Sequence, residues 1–301
     1  MKVAIIGAGA LGLYYGALLQ KSGVETHFLL RRDYHAVKTG GLKVYSINGD
    51  FHLPQVHAWQ TPAEMGKADL IIVGLKTFTN GHYQELIAPL LHDNSVILTL
   101  QNGLGNEETL AELFGAERII GGVAFLCSNR GEPGTVNHLG AGRIILGEFA
   151  VKSLGRVAQF AEMFCTAGVD CKTTADLKRA RWEKLVWNIP FNGLATLLLQ
   201  SVDRLLAVKE TRKLVRELML EVIQAGNQQE LKSQIPAKFA ESMLAFTDTM
   251  GDYKPSMLID REEARELELG SIFRIPLKFA AEKGVAMPRV EMLATLLEQS
   301  S

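Results

Sequence analysis

Short unbroken apolar runs alternate with stretches of helical periodicity through the first part of the chain. The runs at residues 3–6, 24–30, 69–75, 95–100 and 118–125 read as buried strands, and the stretches at 11–22, 79–91 and 105–114 read as helices between them. Gly23 supplies a stop for the first helix. Residues 42–47 and 51–57 read as a hairpin turning at Asn48-Gly49, and residues 135–137 and 143–146, joined by Gly140-Ala141-Gly142, as a second. An amphipathic helix is expected at 152–167. From about residue 175 the pattern holds helices only, at 176–200, 203–227, 236–250, 261–283 and 288–299, with breaks at Pro236, Gly251 and Gly284. Gly270 and Pro276 should split or kink the fourth of these.

Strands alternating with helices imply a parallel sheet covered on both faces. The first run, Val3-Ala4-Ile5-Ile6, leads directly into Gly7-Ala8-Gly9-Ala10-Leu11-Gly12. Glycines at that spacing let a chain turn tightly out of a strand, bring its backbone against a pyrophosphate and pack the next helix close to the sheet. The anion then rests on amides at the positive end of the helix. The expected fold is α/β: an N-terminal Rossmann-like doubly wound sheet followed by an all-helical C-terminal domain.

Composition narrows the classes of function. A chain of 301 residues with 47% hydrophobic content can fill two cores. A formal net charge of −1, with both signs interspersed, offers no basic field for nucleic acid or an anionic membrane. The sequence enters a strand within two residues and has no apolar run of about 18, so a soluble, cytoplasmic protein is expected. Three cysteines, Cys127, Cys165 and Cys171, with no C-x-x-C spacing, fit a reducing compartment and are expected to be buried, inert thiols. The seven histidines all precede residue 139 without metal-ligand spacing, so no metal is expected. A proton donor from the second half must then be a lysine, a tyrosine or a carboxyl group.

The end of the second strand decides between coenzymes. An NAD site places a carboxylate there for the ribose hydroxyls, whereas an NADP site offers a cation to the extra phosphate. Here the chain reads Leu29-Leu30-Arg31-Arg32-Asp33. Arg31 stands where the carboxylate would be and its guanidinium suits a phosphate; Asp33 keeps an NAD reading open. Lys76, just beyond the third buried strand, is a second phosphate candidate at a strand's carboxyl end. Asn102, in Gln101-Asn102-Gly103-Leu104-Gly105, can donate and accept at once, as a site holding both coenzyme and polar substrate would require. These assignments give an NADP-binding domain over residues 1–172 and a helical substrate and catalytic domain over 173–301.

Within the helical part, Lys184, Asn188 and Asn192 fall at about 0°, 40° and 80° around a helix, and Arg181 joins the same stripe. Trp182, Leu185, Val186, Trp187, Ile189 and Phe191 surround them, which describes a buried helix turning one polar edge to a cleft. Pro190 within the stripe should strain or bend the helix. Desolvation lowers the proton affinity of a lysine toward neutral pH, so Lys184 can donate a proton to a carbonyl oxygen as that carbon is reduced, while the two amides orient a carboxylate or hydroxyl. Tyr253 is the competing donor in this half.

These residues match a family in order: K-V-A-I-I-G-A-G-A-L-G at the N-terminus, Arg31, L-K-T at Leu75-Lys76-Thr77, Q-N-G-L-G from Gln101, R-W-E-K-L-V-W-N from Arg181, P-S-M-L-I-D from Pro255 and E-L-E-L-G from Glu266. Over essentially its whole length the chain resembles the ketopantoate reductase (2-dehydropantoate 2-reductase) family. The resemblance implies reduction of 2-dehydropantoate to (R)-pantoate with NADPH/NADP+, on the route to pantothenate and coenzyme A. It implies Lys184 as proton donor, Gly7, Ala8, Gly9, Ala10, Leu11, Gly12, Arg31 and Lys76 as coenzyme contacts, and Asn102 as a contact of both coenzyme and substrate. Asn188, Asn192 and Ser256 would hold the substrate, and Glu268, from an otherwise solvated-looking acidic segment, would act where the two ligands meet. The chain departs from the family's pattern at Glu268-Leu269-Gly270 and Phe273-Arg274, and it carries Val202 where some members use an asparagine for substrate. A reductase of another branched 2-oxo acid and a non-catalytic NADP sensor are therefore the alternatives. The expected partner is a small-molecule 2-oxo acid, with no nucleic acid and no membrane; a homodimer is compatible with the sequence.

Overall fold

The computed structural model describes residues 1–150 and 155–300. The chain divides into two compact units, one formed by Met1–Gln101 and Asn106–Leu177, the other by Asn102–Gly105 and Lys178–Ser301.

The first unit is built on a ten-stranded sheet. Its strands are β1 (Lys2–Ile6), β2 (Glu25–Leu29), β3 (Leu42–Ser46), β4 (Phe51–Leu53), β5 (His57–Trp59), β6 (Leu70–Val73), β7 (Val96–Thr99), β8 (Ile119–Arg130), β9 (Thr135–Glu148) and β10 (Cys171–Thr173). They lie in the order β4-β3-β9-β8-β7-β6-β1-β2-β5, with β10 beside β9. From β5 through β2, β1, β6 and β7 to β8 every pairing is parallel. The helices are α1 (Ala10–Lys21), α2 (Tyr34–Gly40), α3 (Pro62–Met65), α4 (Tyr83–Ile87), α5 (Asn106–Phe114) and α6 (Arg156–Thr166).

Alternate strand residues face opposite sides. Val3, Ile5, Leu70, Ile72 and Leu98 pack with Leu13, Tyr15 and Leu19 of α1 and Phe160 and Phe164 of α6. Ala4, Ile6, Ile71, Val73 and Ile97 pack on the other side with Met65 of α3, Tyr83 and Ile87 of α4 and Leu110 of α5. Both faces are covered, which is why these strands read as unbroken apolar runs. Each buried Ile or Leu contributes about 1.5–3 kcal/mol relative to exposure.

The 135–146 segment is not a hairpin. It is one strand, β9, antiparallel to β8, and the hairpin turn lies earlier, where Thr135 N donates to Glu132 O at 2.9 Å. The small residues read as a turn are bulges: the register shifts between Phe125 and Leu126 and between Cys127 and Ser128, with Ala141 and Gly142 at φ 56° and 115°. Residues 51–57 are likewise two separate pieces, since β4 pairs with β3 and β5 crosses to β2. Of the helix expected at 152–167, residues 156–166 are helical and 152–154 lie outside the described residues. Cys165 is exposed and Cys127 half-buried rather than buried, whereas burial pushes the Cys171 thiol up to about 12.

The second unit is helical: α7 (Leu177–Leu198), α8 (Val202–Ala207), α9 (Lys209–Asn227), α10 (Lys238–Thr247), α11 (Ser256–Glu262), α12 (Ile275–Glu282) and α13 (Pro288–Ser300). Its core contains Trp182, Val186, Ile189, Val222, Met257, Phe273 and Leu297. The segment expected as one helix at 203–227 breaks at Val208, whose backbone is extended (φ −92°, ψ 118°). The segment expected at 261–283 is three pieces: α11 starts earlier, Ala264 interrupts at φ 52°, and a π-helical turn at Gly270–Arg274 leads into α12. Pro276 sits in the first turn of α12, directly after the π-helical turn, so the expected split of this segment falls at that turn. Among the described residues no helix is long and apolar enough to cross a membrane.

Candidate active site

In the first unit the glycine-rich segment leaves β1 and enters α1 at Gly9. Gly7 has φ +87°, and a Cβ there would lie 2.3 Å from the Leu75 amide nitrogen; one on Gly12 would lie 2.5 Å from the Gly7 carbonyl oxygen. Both glycines are thus required by close packing of the turn, the helix and β6. Gly9 differs: nothing lies within 4 Å of its would-be Cβ, and no side chain caps α1. The open side of Gly9 and the uncapped first turn, through Ala10, Leu11 and Gly12, form a cradle that fits a pyrophosphate. Ala8 lines the turn between the two first glycines and packs against the core beside α1.

Arg31 follows β2 and is exposed, with no ion pair among the described residues. Asp33 is not free to accept from a ribose: it is 2% exposed, ion-paired with Arg130, and accepts the Gly134 amide at 3.0 Å. The cation therefore remains at the strand end and the carboxylate is withdrawn, a combination that fits a 2′-phosphate. Lys76 lies partly buried beyond β6, and its carbonyl accepts from Thr79 N at 2.9 Å and Thr79 Oγ1 at 2.6 Å, which fixes the loop carrying it.

The second unit assembles the remaining residues. The segment Asn102–Gly105 belongs to this unit although its neighbours in sequence belong to the other. It is fastened by Leu104 N donating to Ser271 O at 3.0 Å, and Gly103, at φ +80°, passes so close that a Cβ would lie 2.3 Å from that same oxygen. This places Asn102 against α7, where Lys184 Nζ donates to Asn102 Oδ1 at 2.6 Å. Lys184 is partly buried, and its proton affinity is pushed down to about 7, first by burial, then by the nearby Arg181 guanidinium, against the opposing pull of the Glu268 carboxylate.

Along the same edge of α7, Asn188 and Asn192 are 5% and 2% exposed, and Arg181 is 4% exposed. Asn192 Oδ1 accepts from Met257 N at 3.1 Å and from Ser256 Oγ at 3.4 Å, so it pins the start of α11 and leaves its amide nitrogen available to a ligand. The Asn188 side chain makes no hydrogen bond to another described residue, which leaves its amide available to a ligand. Glu268 is 3% exposed while Glu262, Glu263 and Glu266 are exposed, so the acidic segment hides one member. The helix runs through Pro190 without interruption. Tyr253, the competing donor, packs its ring 6.2 Å from that of Trp187.

Lys184, Asn102, Asn188, Asn192, Ser256 and Glu268 thus lie in one unit, and the glycines, Arg31 and Lys76 in the other. Sequence reasoning placed Arg181 on the stripe without a role and missed Ser271, whose carbonyl anchors the Asn102 loop; only a chain crossing between units could reveal it. Among the described residues no group of three or more His, Cys, Asp or Glu could hold a metal.

Two family models and several known proteins are similar to this chain. Residues 3–151 match the family model described as ketopantoate reductase PanE/ApbA, and residues 176–301 match its C-terminal counterpart. The chain is 46% identical over 297 residues to a 2-dehydropantoate 2-reductase of Nostoc sp., covering 97% of this chain and 92% of the relative. It superposes on the crystal structure of 2-dehydropantoate 2-reductase from Geobacter metallireducens with TM-score 0.99 at 66% identity, covering all of both chains (100% and 100%). The corresponding enzyme structure from Methylococcus capsulatus gives TM-score 0.90 at 30% identity over 100% of this chain and 96% of that one. The chain belongs to the ketopantoate reductase family.

Proposed function

We propose that the protein reduces 2-dehydropantoate to (R)-pantoate with NADPH, in the biosynthesis of pantothenate and coenzyme A, with Lys184 as proton donor. The observation that carries the reading is the Lys184 ammonium, hydrogen-bonded to Asn102 and brought by burial to a proton affinity of about 7. Gly7, Ala8, Gly9, Ala10, Leu11 and Gly12 would cradle the pyrophosphate, Arg31 and Lys76 would meet phosphate groups, and Asn102 and Glu268 would be the remaining coenzyme contacts. NADPH, when bound, would supply the hydride for reduction of the ketone. Lys184 delivers its proton to the ketone oxygen, which would otherwise carry the full negative charge of an alkoxide. A proton affinity brought near neutral pH lets the lysine hold a proton and still release it readily. Asn188, Asn192 and Ser256 orient the substrate's carboxylate and hydroxyl. Glu268 opposes the effect of Arg181 and keeps Lys184 from losing its proton too early. The protein acts in the cytoplasm in this reading, in keeping with three cysteines that form no disulfide.

A second substrate is favoured by particular positions. Val202 is fully buried in the apolar core, and Arg274 is paired with Glu298, so neither offers the polar contact that other members draw from these regions. The loss of one buried polar contact can change substrate preference by orders of magnitude. Following the absorbance of reduced nicotinamide with 2-dehydropantoate and a panel of branched 2-oxo acids, each with NADPH and NADH, tests both. Fastest turnover of 2-dehydropantoate with NADPH is expected. Faster turnover of another branched 2-oxo acid would replace the substrate, and tight NADPH binding without any turnover would make the protein a sensor.

A further inference from the structure

Asp33 occupies the position before α2 at which a carboxylate ordinarily caps a helix, yet its side chain makes no capping bond. Both of its oxygens are turned instead to the turn between β8 and β9. Arg130 Nη2 pairs with Asp33 Oδ2, and Gly134 N donates to Asp33 Oδ1 at 3.0 Å. The carboxylate is 3% exposed and the guanidinium 30%. Arg130 Nε is buried without a hydrogen-bond partner, so the pair with Asp33 is the guanidinium's hold on its place. The same turn is tied down once more by Arg32 Nη2, which donates to Gly131 O at 3.1 Å. Arg31 and Arg32 follow β2, Arg130 ends β8, and the exposed Glu132 lies in the β8–β9 turn. Of the two carboxylates, Asp33 follows Arg31 by two residues and is the one that could accept from ribose hydroxyls and repel a 2′-phosphate.

We propose that Arg130 is a coenzyme-selecting residue: by holding Asp33 against the β8–β9 turn, it leaves Arg31 to meet a 2′-phosphate with no competing carboxylate beside it. Arg130 is a positioning residue, acting through Asp33 rather than by touching the nucleotide. The inference rests on the NADPH reading given above. A carboxylate deprived of its partner does not stay buried; in the absence of Arg130 it turns toward solvent and toward Arg31.

Calorimetric titration of the whole chain with NADPH and with NADH, without substrate, tests this. Arg130→Met is expected to weaken NADPH binding by at least about tenfold while NADH binding holds or improves. The double variant Asp33→Asn/Arg130→Met, lacking the carboxylate, should return NADPH affinity to within about threefold of the parent. Arg130→Gln, which keeps a donor for Asp33 but not the charge, should lower the NADPH-to-NADH affinity ratio by at least about threefold and serves if Arg130→Met fails to fold. Equal weakening of both coenzymes, or no recovery in the double variant, would overturn the proposal. A parent protein that binds NADH more tightly than NADPH would instead overturn the coenzyme reading beneath it.

Discussion

Removing either charge beside Lys184 should move the pH dependence of reduction, in opposite directions. Arg181 lies three residues before Lys184 on α7, and its positive charge lowers the lysine's proton affinity; Glu268 raises it. Side chains three apart on a helix have Cβ atoms about 6 Å apart. With that spacing standing for the charge separation to order of magnitude, and an effective dielectric constant of about 20, two charges interact by about 2.8 kcal/mol. At about 1.4 kcal/mol per pKa unit that is about two units, which solvent screening and relaxation reduce to about one. The donor must be protonated, so kcat/KM for the 2-oxo acid falls as pH rises through the Lys184 value of about 7. Arg181→Met, which keeps the aliphatic volume, should carry this falling limb about one unit higher. Glu268→Gln should carry it about one unit lower. The assay is the pH profile of kcat/KM at saturating NADPH for parent and both variants, with thermal melting to confirm folding. Shifts of the same sign, or an unmoved limb in both variants, would show that Lys184 does not control this ionisation.

Lys184→Ala should lower turnover by about 100-fold or more while leaving NADPH affinity, read by fluorescence titration, nearly unchanged. Lys184→Met should stabilise the fold: the unfolded lysine keeps its proton up to its ordinary 10.5 and the folded one up to about 7, so the unfolded state binds the extra proton between them and stability rises with pH over that window. Below pH 7 the full cost is present, at most about 5 kcal/mol, so the variant's gain in Tm is expected to be larger at pH 6 than at pH 10; a Tm gain that is the same at both would contradict it. Gly9→Ala, with nothing within 4 Å of the added methyl, should fold normally yet bind NADPH at least about tenfold more weakly. Gly12→Ala, which meets the Gly7 carbonyl at 2.5 Å, should instead lose about 1–3 kcal/mol of stability in chemical denaturation.

The sequence by itself determined the strands of the central sheet, the glycine turn and the polar edge of α7. Each rests on a local rule: Ile5, Ile72 and Leu98 are apolar on a strand buried on both faces, and Lys184, Asn188 and Asn192 recur at four-residue spacing whatever the helix packs against. Family resemblance, and not periodicity, singled out Glu268, because a solvated and a hidden glutamate look alike in a string of letters; its burial comes from the path of the chain between α11 and the π-helical turn. Tertiary structure alone decided that residues 135–148 form one bulged strand, since strand pairing with β8 supplies the hydrogen bonds that a local hairpin reading had placed within the segment. It alone joined Asn102 to Lys184, residues that Coulomb and hydrogen-bond energies see at 2.6 Å and the sequence separates by most of a domain. It alone paired Asp33 with Arg130 and the Gly134 amide from a distant hairpin. Short-range sterics and burial are written in neighbouring residues, whereas the pairing of charges and the proton affinity they set depend on which distant segments the fold brings within a few ångströms.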